Sequence, residues 1–280
     1  GGDGTNMIII EPCAGLGNRL LALTSAYELA EKLGRELLVI WKSEIGCQIR
    51  SEELFLFDGV KVINISESGW KQDFAGTLRG NAVKKKYRGS ADRFVECDEV
   101  EVWKKEGGFA RVEQEIAKTS RIYIKSYTNL CEITPDSFRF LTPSAAVEAR
   151  GREVFARITK ERTVGVHIRR TDHTDAIANS PLELFTDRMK REIEEKDANF
   201  YVTTDDARVM DELKQAFPAE RLVIYENKVL DRDSREGIQD ALVDMLCLSK
   251  CSRIIGSYRS TFSLIPSIMG NIPLEMMIKD

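Results

Sequence analysis

Histidine is scarce: the 280 residues contain two. Zinc sites draw mainly on His and Cys, so such a chain is poorly supplied for a metal centre. The six cysteines, Cys13, Cys47, Cys97, Cys131, Cys247 and Cys251, are scattered. Cys247 and Cys251 lie one helical turn apart, but no second close pair completes a ligand set, and no metal is expected. In a chain large enough to bury its own core, the six read as reduced, mostly buried thiols. A positive surplus is also missing. The net charge of −4 and pI of about 5.6 exclude a generic nucleic-acid binder, though not a local basic pocket. No apolar run approaches the roughly 20 residues that cross a bilayer, and no secretory signal is evident. A cytoplasmic, bacterial-type location is therefore expected, or a secretory lumen if an N-terminal anchor has been trimmed. Residues Gly1 to Asn6 read as a flexible leader before a native start at Met7, and the sequon at Asn64-Ile65-Ser66 reads as chance.

With 42% hydrophobic and 31% charged residues, the length suits one large or two ordinary domains. Met7 to Ile10 is a short apolar strand running into a glycine-bearing turn, Glu11 to Asn18. Apolar residues then recur at helical spacing from Leu20 to Leu33, Gly34 stops the helix, and Glu36 to Trp41 forms the next strand. This is a βαβ unit of a parallel sheet. The middle, from Ser43 to Lys118, is polar and suggests only short strands. Arg121 to Lys125 is a further strand, and Pro143 to Ile158 reads as a crossing helix with Pro in its first turn. Beyond it, strands at 164–168, 200–204, 221–225, 253–256 and 273–277 alternate with helices at 181–196, 207–217, 237–249 and 261–269. Such alternation implies a doubly wound parallel sheet with its ligand crevice at the carboxyl ends of the strands.

Three strand ends carry the polar residues. Val164 to Ile168 delivers His167, Arg169, Arg170, Thr171 and Asp172 to one loop. Adjacent guanidiniums repel, so an anion should compensate them, and a diphosphate suits both. An Arg–Asp ion-pair staple is the plainer alternative. Asp205 and Asp206 end the second strand, where a carboxylate holds a ribose hydroxyl or caps a helix. Ser257, Ser260, Thr261 and Ser263 gather at a strand-to-helix junction suited to phosphate, although capping by Ser260 accounts for part of that. Asp244 lies among apolar residues of a predicted helix. It needs a partner if buried, and a guanine edge, an arginine or solvent would each serve. Gly15-Leu16-Gly17-Asn18-Arg19 lacks both the Lys-Ser/Thr of a P-loop and the third glycine of a dinucleotide fingerprint. It offers a ligand bare backbone with Asn18 and Arg19 as donors, or it is a tight turn that packs a helix.

Taken in order, His167-x-Arg169-Arg170-x-Asp172, Thr204-Asp205-Asp206, Asp244 and Ser257-x-x-Ser260 resemble the GDP-fucose-dependent fucosyltransferases, particularly the α-1,6 type that includes the bacterial nodulation enzyme. Gly15-Leu16-Gly17-Asn18 resembles that family's first βα turn. The resemblance covers residues 161–280 well, residues 1–40 loosely and the middle hardly at all. It implies a GT-B-like α/β architecture: two Rossmann-like domains, an acceptor-side 7–158 and a GDP-sugar-binding 159–280, with parallel sheets facing a central cleft. It implies transfer of fucose from GDP-fucose to a glycan hydroxyl with inversion, no metal, and no cofactor beyond the donor. Arg169 or Arg170 would hold the β-phosphate and His167 would lie beside the nucleotide. Asp244 would read guanine, and Ser260 with Thr261 would bind phosphate. Departure of GDP leaves positive charge on the sugar ring, and one fixed donor at the developing negative charge is worth about 3 kcal/mol, or roughly a hundredfold in rate. The family's glutamate base falls, by ungapped count, on Ile177. Asp175 is then the first substitute, with Asp172 and His173 as rivals. A GDP-mannose or other nucleotide-sugar transferase, or a nucleotide- or glycan-binding protein without catalysis, fits the same residues.

Overall fold

The computed structural model describes residues 6–66, 74–171 and 174–280. The chain forms two compact units, one of residues up to Ser144 with Asp231–Ile238, the other of Ala145–Leu230 with Gln239–Asp280. The division falls ahead of the crossing helix rather than after it.

In the first unit, β1 (Met7–Pro12), α1 (Leu16–Leu33), β2 (Glu36–Ser43), β3 (Phe55–Phe57) and β4 (Lys61–Ser66) are followed by α2 (Phe74–Ser90), β5 (Arg93–Val95), α3 (Cys97–Ala117), β6 (Arg121–Ser126) and β7 (Leu141–Pro143). Five strands make a parallel sheet in the order β4-β2-β1-β6-β5, while β3 and β7 pair antiparallel. Ile8, Ile9 and Ile10 of β1 are fully buried, as a central strand covered on both faces requires.

Three expectations are corrected here. The middle of the chain carries two long helices, α2 and α3, besides its short strands. α3 is broken by non-helical Gly107 and Gly108, which blurs its period. Pro143 ends β7 instead of opening a helix, which starts at Ala145. And α1 begins at Leu16, so Gly17, Asn18 and Arg19 belong to its first turn and not to a loop.

The second unit contains α4 (Ala145–Ala156), β8 (Thr163–Ile168), α5 (Thr174–Asn179), α6 (Leu182–Lys196), β9 (Asn199–Thr204), α7 (Ala207–Ala216) and β10 (Leu222–Ile224). These are followed by α8 (Arg235–Ser249), whose first turn groups with the first unit, then β11 (Ile254–Gly256), α9 (Thr261–Met269) and β12 (Leu274–Met276). Its sheet is parallel throughout, in the order β10-β9-β8-β11-β12. The chain winds outward from β8 to β10 and then returns to the other side at β11. A ligand crevice is expected where that reversal occurs, outside the carboxyl ends of β8 and β11.

Alternation along β8 sorts its side chains. Val164, Val166 and Ile168 face a core built with Phe200 and Val202 of β9, Phe185 and Met189 of α6, and Val209 and Leu213 of α7. Fully burying each such side chain contributes about 1.5–3 kcal/mol. Gly165 and His167 face the opposite way, toward Leu248 of α8 and Ser263 of α9. That second face turns polar near the strand ends.

Candidate functional site

The loop after β8 is held by its neighbours. Asp205, at the end of β9, accepts the Arg170 amide at 2.7 Å on Oδ1, and on Oδ2 accepts the Thr171 amide at 3.1 Å and the Thr171 hydroxyl at 2.5 Å. From the other side, Ser257 Oγ accepts the Arg169 amide at 2.9 Å, and the Ser257 amide donates to His167 O at 3.1 Å. The backbone carrying both guanidiniums is therefore fixed from β9 and from β11. Asp206 caps α7 instead, accepting the Arg208 amide at 2.8 Å. Neither aspartate is placed on a ribose by these bonds.

The Arg170 guanidinium donates to Arg169 O at 3.0 Å and Ser180 O at 2.7 Å. Both acceptors are neutral, so they orient the side chain without cancelling its charge. Burial draws the guanidinium below the ordinary arginine value, and Asp205 and Asp206 pull the other way. Arg169 is half-buried beside it.

His167, buried, pairs through Nδ1 with Ser263 Oγ at 2.6 Å and lies against the Phe262 ring at 4.9 Å between centroids. It ties β8 to the first turn of α9. Gly256, paired in register with His167, makes this possible, since a Cβ there would sit 2.6 Å from Ser263 Oγ. The chain then passes through Arg259 at φ 49°, a left-handed conformation costly for a residue with a Cβ, and enters α9 at Ser260. Ser260 is the N-cap residue, yet its side chain caps nothing. Its Oγ is buried with no hydrogen-bond partner among the described residues. A buried hydroxyl without a partner at the positive end of a helix has a donor and an acceptor to spare for a polar group, an anion's oxygen included. Thr261 opens the same helix.

Asp244 is buried on α8 and occupied. Tyr201 OH donates to Oδ1, and Lys228 Nζ donates to Oδ2 at 2.9 Å while also reaching Thr203 Oγ1 at 2.9 Å. Burial, then Asp244, raises the Tyr201 hydroxyl well above its usual value. The partner is a lysine, which sequence reasoning missed. The need for a partner was readable, because a carboxylate buried among core residues is costly unpaired, but nothing local identified Lys228, Tyr201 or Thr203.

Asp175 is exposed in the first turn of α5, and its carboxylate makes no bond among the described residues. Ile177, where the family's glutamate falls, is exposed on the same short helix. Asp172 and His173 lie outside the described residues.

The glycine turn belongs to the first unit. Gly15 is the N-cap residue of α1 and half-exposed, and a Cβ added there would meet nothing within 4 Å, so the backbone is open to approach. Gly17 is buried and Asn18 half-buried in the first turn. Arg19 is corrected: it is no ligand donor. It is fully buried, donates from Nε to Ala14 O at 2.8 Å, from Nη1 to Lys42 O at 2.8 Å and from Nη2 to Glu44 at 3.3 Å, and lies over Trp41. Ala14 has φ 69°, and the arginine clamps that strained residue between β1 and α1.

All six cysteines are free, and among the described residues no group of three or more His, Cys, Asp or Glu side chains is placed to hold a metal. No helix among those residues is long and apolar enough to cross a membrane.

The fold recurs in solved structures. Over 94% of this chain and 92% of the other, it superposes on NodZ α-1,6-fucosyltransferase soaked with GDP-fucose, with a TM-score of 0.62 at 19% identity. The chain shares the fold of that fucosyltransferase. POFUT1 in complex with GDP matches over 98% of this chain and 99% of its own, with a TM-score of 0.57 at 14% identity. A mutant of Arabidopsis thaliana FUT1 in complex with GDP matches over 98% of this chain and 70% of its own, with a TM-score of 0.59 at 14% identity. No family model matches the sequence, and no curated protein does. The shared fold is α/β and GT-B-like, with two Rossmann-like units, each carrying a parallel sheet.

Proposed function

We propose that the chain is a glycosyltransferase that moves fucose from GDP-fucose to a hydroxyl of a glycan acceptor, with inversion at the anomeric carbon. The observation that carries this reading is the pairing, at one sheet reversal, of an arginine loop braced by Asp205 and Ser257 with the uncapped start of α9, where Ser260 Oγ has no partner among the described residues. The fold shared with structures holding GDP or GDP-fucose supports it.

In this reading Arg169 and Arg170 hold the diphosphate, and Ser260 and Thr261 take phosphate oxygens at the helix start. Negative charge grows on the departing GDP as the bond to fucose breaks, and donors already fixed there lower the barrier without reorganising. These charges can take the part a divalent cation plays elsewhere, which is why the reaction is proposed as metal-independent. Asp175 is the base proposed to accept the proton of the attacking hydroxyl, with Asp172 as its rival, and the acceptor approaches from the side opposite the leaving group. Asp205 and Asp206 serve the reaction by holding the arginine loop and α7. His167 positions α9 beside the nucleotide. Guanine recognition by Asp244 requires the base to take over an oxygen now bonded to Lys228. Gly15 offers open backbone in the first unit, with Asn18 half-buried in the helical turn after it and Gly17 buried there as packing. The free cysteines suit a reducing, cytoplasmic setting.

GDP release should be measured with GDP-fucose and GDP-mannose, and GDP and UDP binding by calorimetry. Release from GDP-fucose together with tight GDP binding is expected. Release from GDP-mannose alone transfers the reading to another hexose, and tight UDP binding without GDP binding removes the guanine assignment.

A further inference from the structure

On the face of the first sheet covered by α2, Ile9, Leu38, Ile40, Ile65 and Tyr123 are buried together, with Val83 and Tyr87 packed against them. Toward the carboxyl ends of the strands the same face turns ionic. Alternation brings Glu11 of β1 and Lys42 of β2 onto it, each two positions beyond a core isoleucine, and both are buried. Lys84 and Arg88, one turn apart on α2, lie over them.

The cluster is poorly balanced. Glu11 Oε1 accepts the Tyr123 hydroxyl at 2.5 Å, whereas Lys84 Nζ and Arg88 Nη2 stand off at 3.8 and 3.9 Å, beyond hydrogen-bond reach. Glu11 Oε2 is buried without a hydrogen-bond partner among the described residues, and so is Arg88 Nε. Among those residues, Glu11 is the one carboxylate that Lys84 or Arg88 meets. Lys42 is drawn to Glu44 at 3.2 Å, an oxygen pair that Glu44 divides with Arg19. Burial pushes the Lys84 ammonium below its usual value; Glu11 opposes this, and the Lys42 and Arg88 charges add to it. In this rim a buried carboxylate oxygen and a buried guanidinium nitrogen left without hydrogen bonds are costly, and a ligand offering an anion beside a hydroxyl would satisfy both defects.

We propose that this rim binds a sugar carrying an anionic substituent. Lys84 and Arg88, with Lys42 behind them, take the carboxylate or phosphate, and Glu11 Oε2 accepts a neighbouring hydroxyl. If the chain is a transferase as proposed above, that ligand is its acceptor, an acidic glycan.

The test titrates the full chain with glucose 6-phosphate, glucuronic acid, glucose and inorganic phosphate by calorimetry, and titrates GDP in parallel. Both acidic sugars should bind at least tenfold tighter than glucose, and tighter than phosphate alone, which lacks the sugar hydroxyls. Lys84→Gln, which removes the charge and keeps most of the stem, should weaken the acidic sugars at least tenfold and leave GDP binding unchanged. Circular dichroism and the unchanged GDP affinity establish that the variant is folded; Arg88→Gln serves as the second variant. Acidic sugars that bind no better than glucose, or that bind equally well to both variants, overturn the site. Acidic-sugar binding without GDP binding upholds the site and removes the transferase reading, whereas GDP binding without it does the reverse.

Discussion

Asp205 is the residue on which the arginine loop depends, and its removal gives the most instructive perturbation. Its carboxylate accepts three hydrogen bonds from the loop, at 2.7, 3.1 and 2.5 Å. Bonds to a charged acceptor are worth about 1.5–3 kcal/mol each when buried. Asp205 is half-buried and Thr171 exposed, so solvent replaces part of that value, leaving about 3 kcal/mol in all. Asp205→Ala should then let the loop wander and cost about a hundredfold in kcat/KM for GDP-sugar turnover. Asp205→Asn keeps one acceptor oxygen and should lose about tenfold. The same bonds are lost on unfolding, so the urea midpoint should fall by the equivalent of up to about 3 kcal/mol in Asp205→Ala and by less in Asp205→Asn. The assay is GDP release under first-order conditions, with urea unfolding alongside. Turnover of Asp205→Ala within threefold of the parent, in a folded protein, refutes the idea that this carboxylate organises the site.

Three further outcomes follow from other parts of the structure. Cys97, partly exposed at the start of α3, has its thiol lowered to about 7, chiefly by the hydrogen bond from Cys13 at 3.9 Å. The thiolate is the reactive form, so iodoacetamide labelling of Cys97 should rise with pH through a midpoint near 7, and Cys13→Ala should move that midpoint up toward the ordinary 9.0; a parent midpoint near 9 contradicts it. Gly256→Ala would press a methyl against Ser263 Oγ. It should cost about 1–3 kcal/mol by urea unfolding and weaken GDP binding through the displaced start of α9. Asp240 is buried beneath a two-pronged bond from Arg150 at 2.8 Å on each side, a Tyr225 hydroxyl and the Val229 amide. Burial alone would raise its carboxyl, but these donors hold it below the usual 3.8. Its contribution is therefore present above pH 3.8 and lost as the pH falls through the lower folded value. Asp240→Asn should cost about 2–3 kcal/mol near neutrality, discounted because Arg150 is partly exposed, and the gap to the parent should narrow in acid.

The second unit was largely legible because its signals are short-range. A β-branched run such as Val164 to Ile168 reads as a buried strand without knowledge of its neighbours, and all six residues of β8 are buried. The alternation puts the polar residues after β8, β9 and β11 at strand ends; that β8 and β11 are neighbours where the winding reverses is known only from the sheet order. What escaped depends on distant partners. α2 has an exposed Leu78 and glycines within it, and one of them is explained only in space: a Cβ on Gly80 would crowd Ile65 and Ser66 of β4 at 3.3 Å. Arg19 looked like a donor beside a glycine turn. Only the position of β2, whose Lys42 carbonyl it binds, reveals it as a clamp. Asp244 announced that it needed a partner but not that the partner would be Lys228, which is supplied from the loop after β10.

Fixed cations after β8 are proposed to draw off the charge of a leaving nucleoside diphosphate. GDP release from GDP-fucose by Arg169→Ala measures it most directly, with circular dichroism establishing that the variant remains folded. A loss of at least about a hundredfold in turnover is predicted, as for removal of one fixed donor at a developing charge. Turnover equal to that of the parent would contradict it.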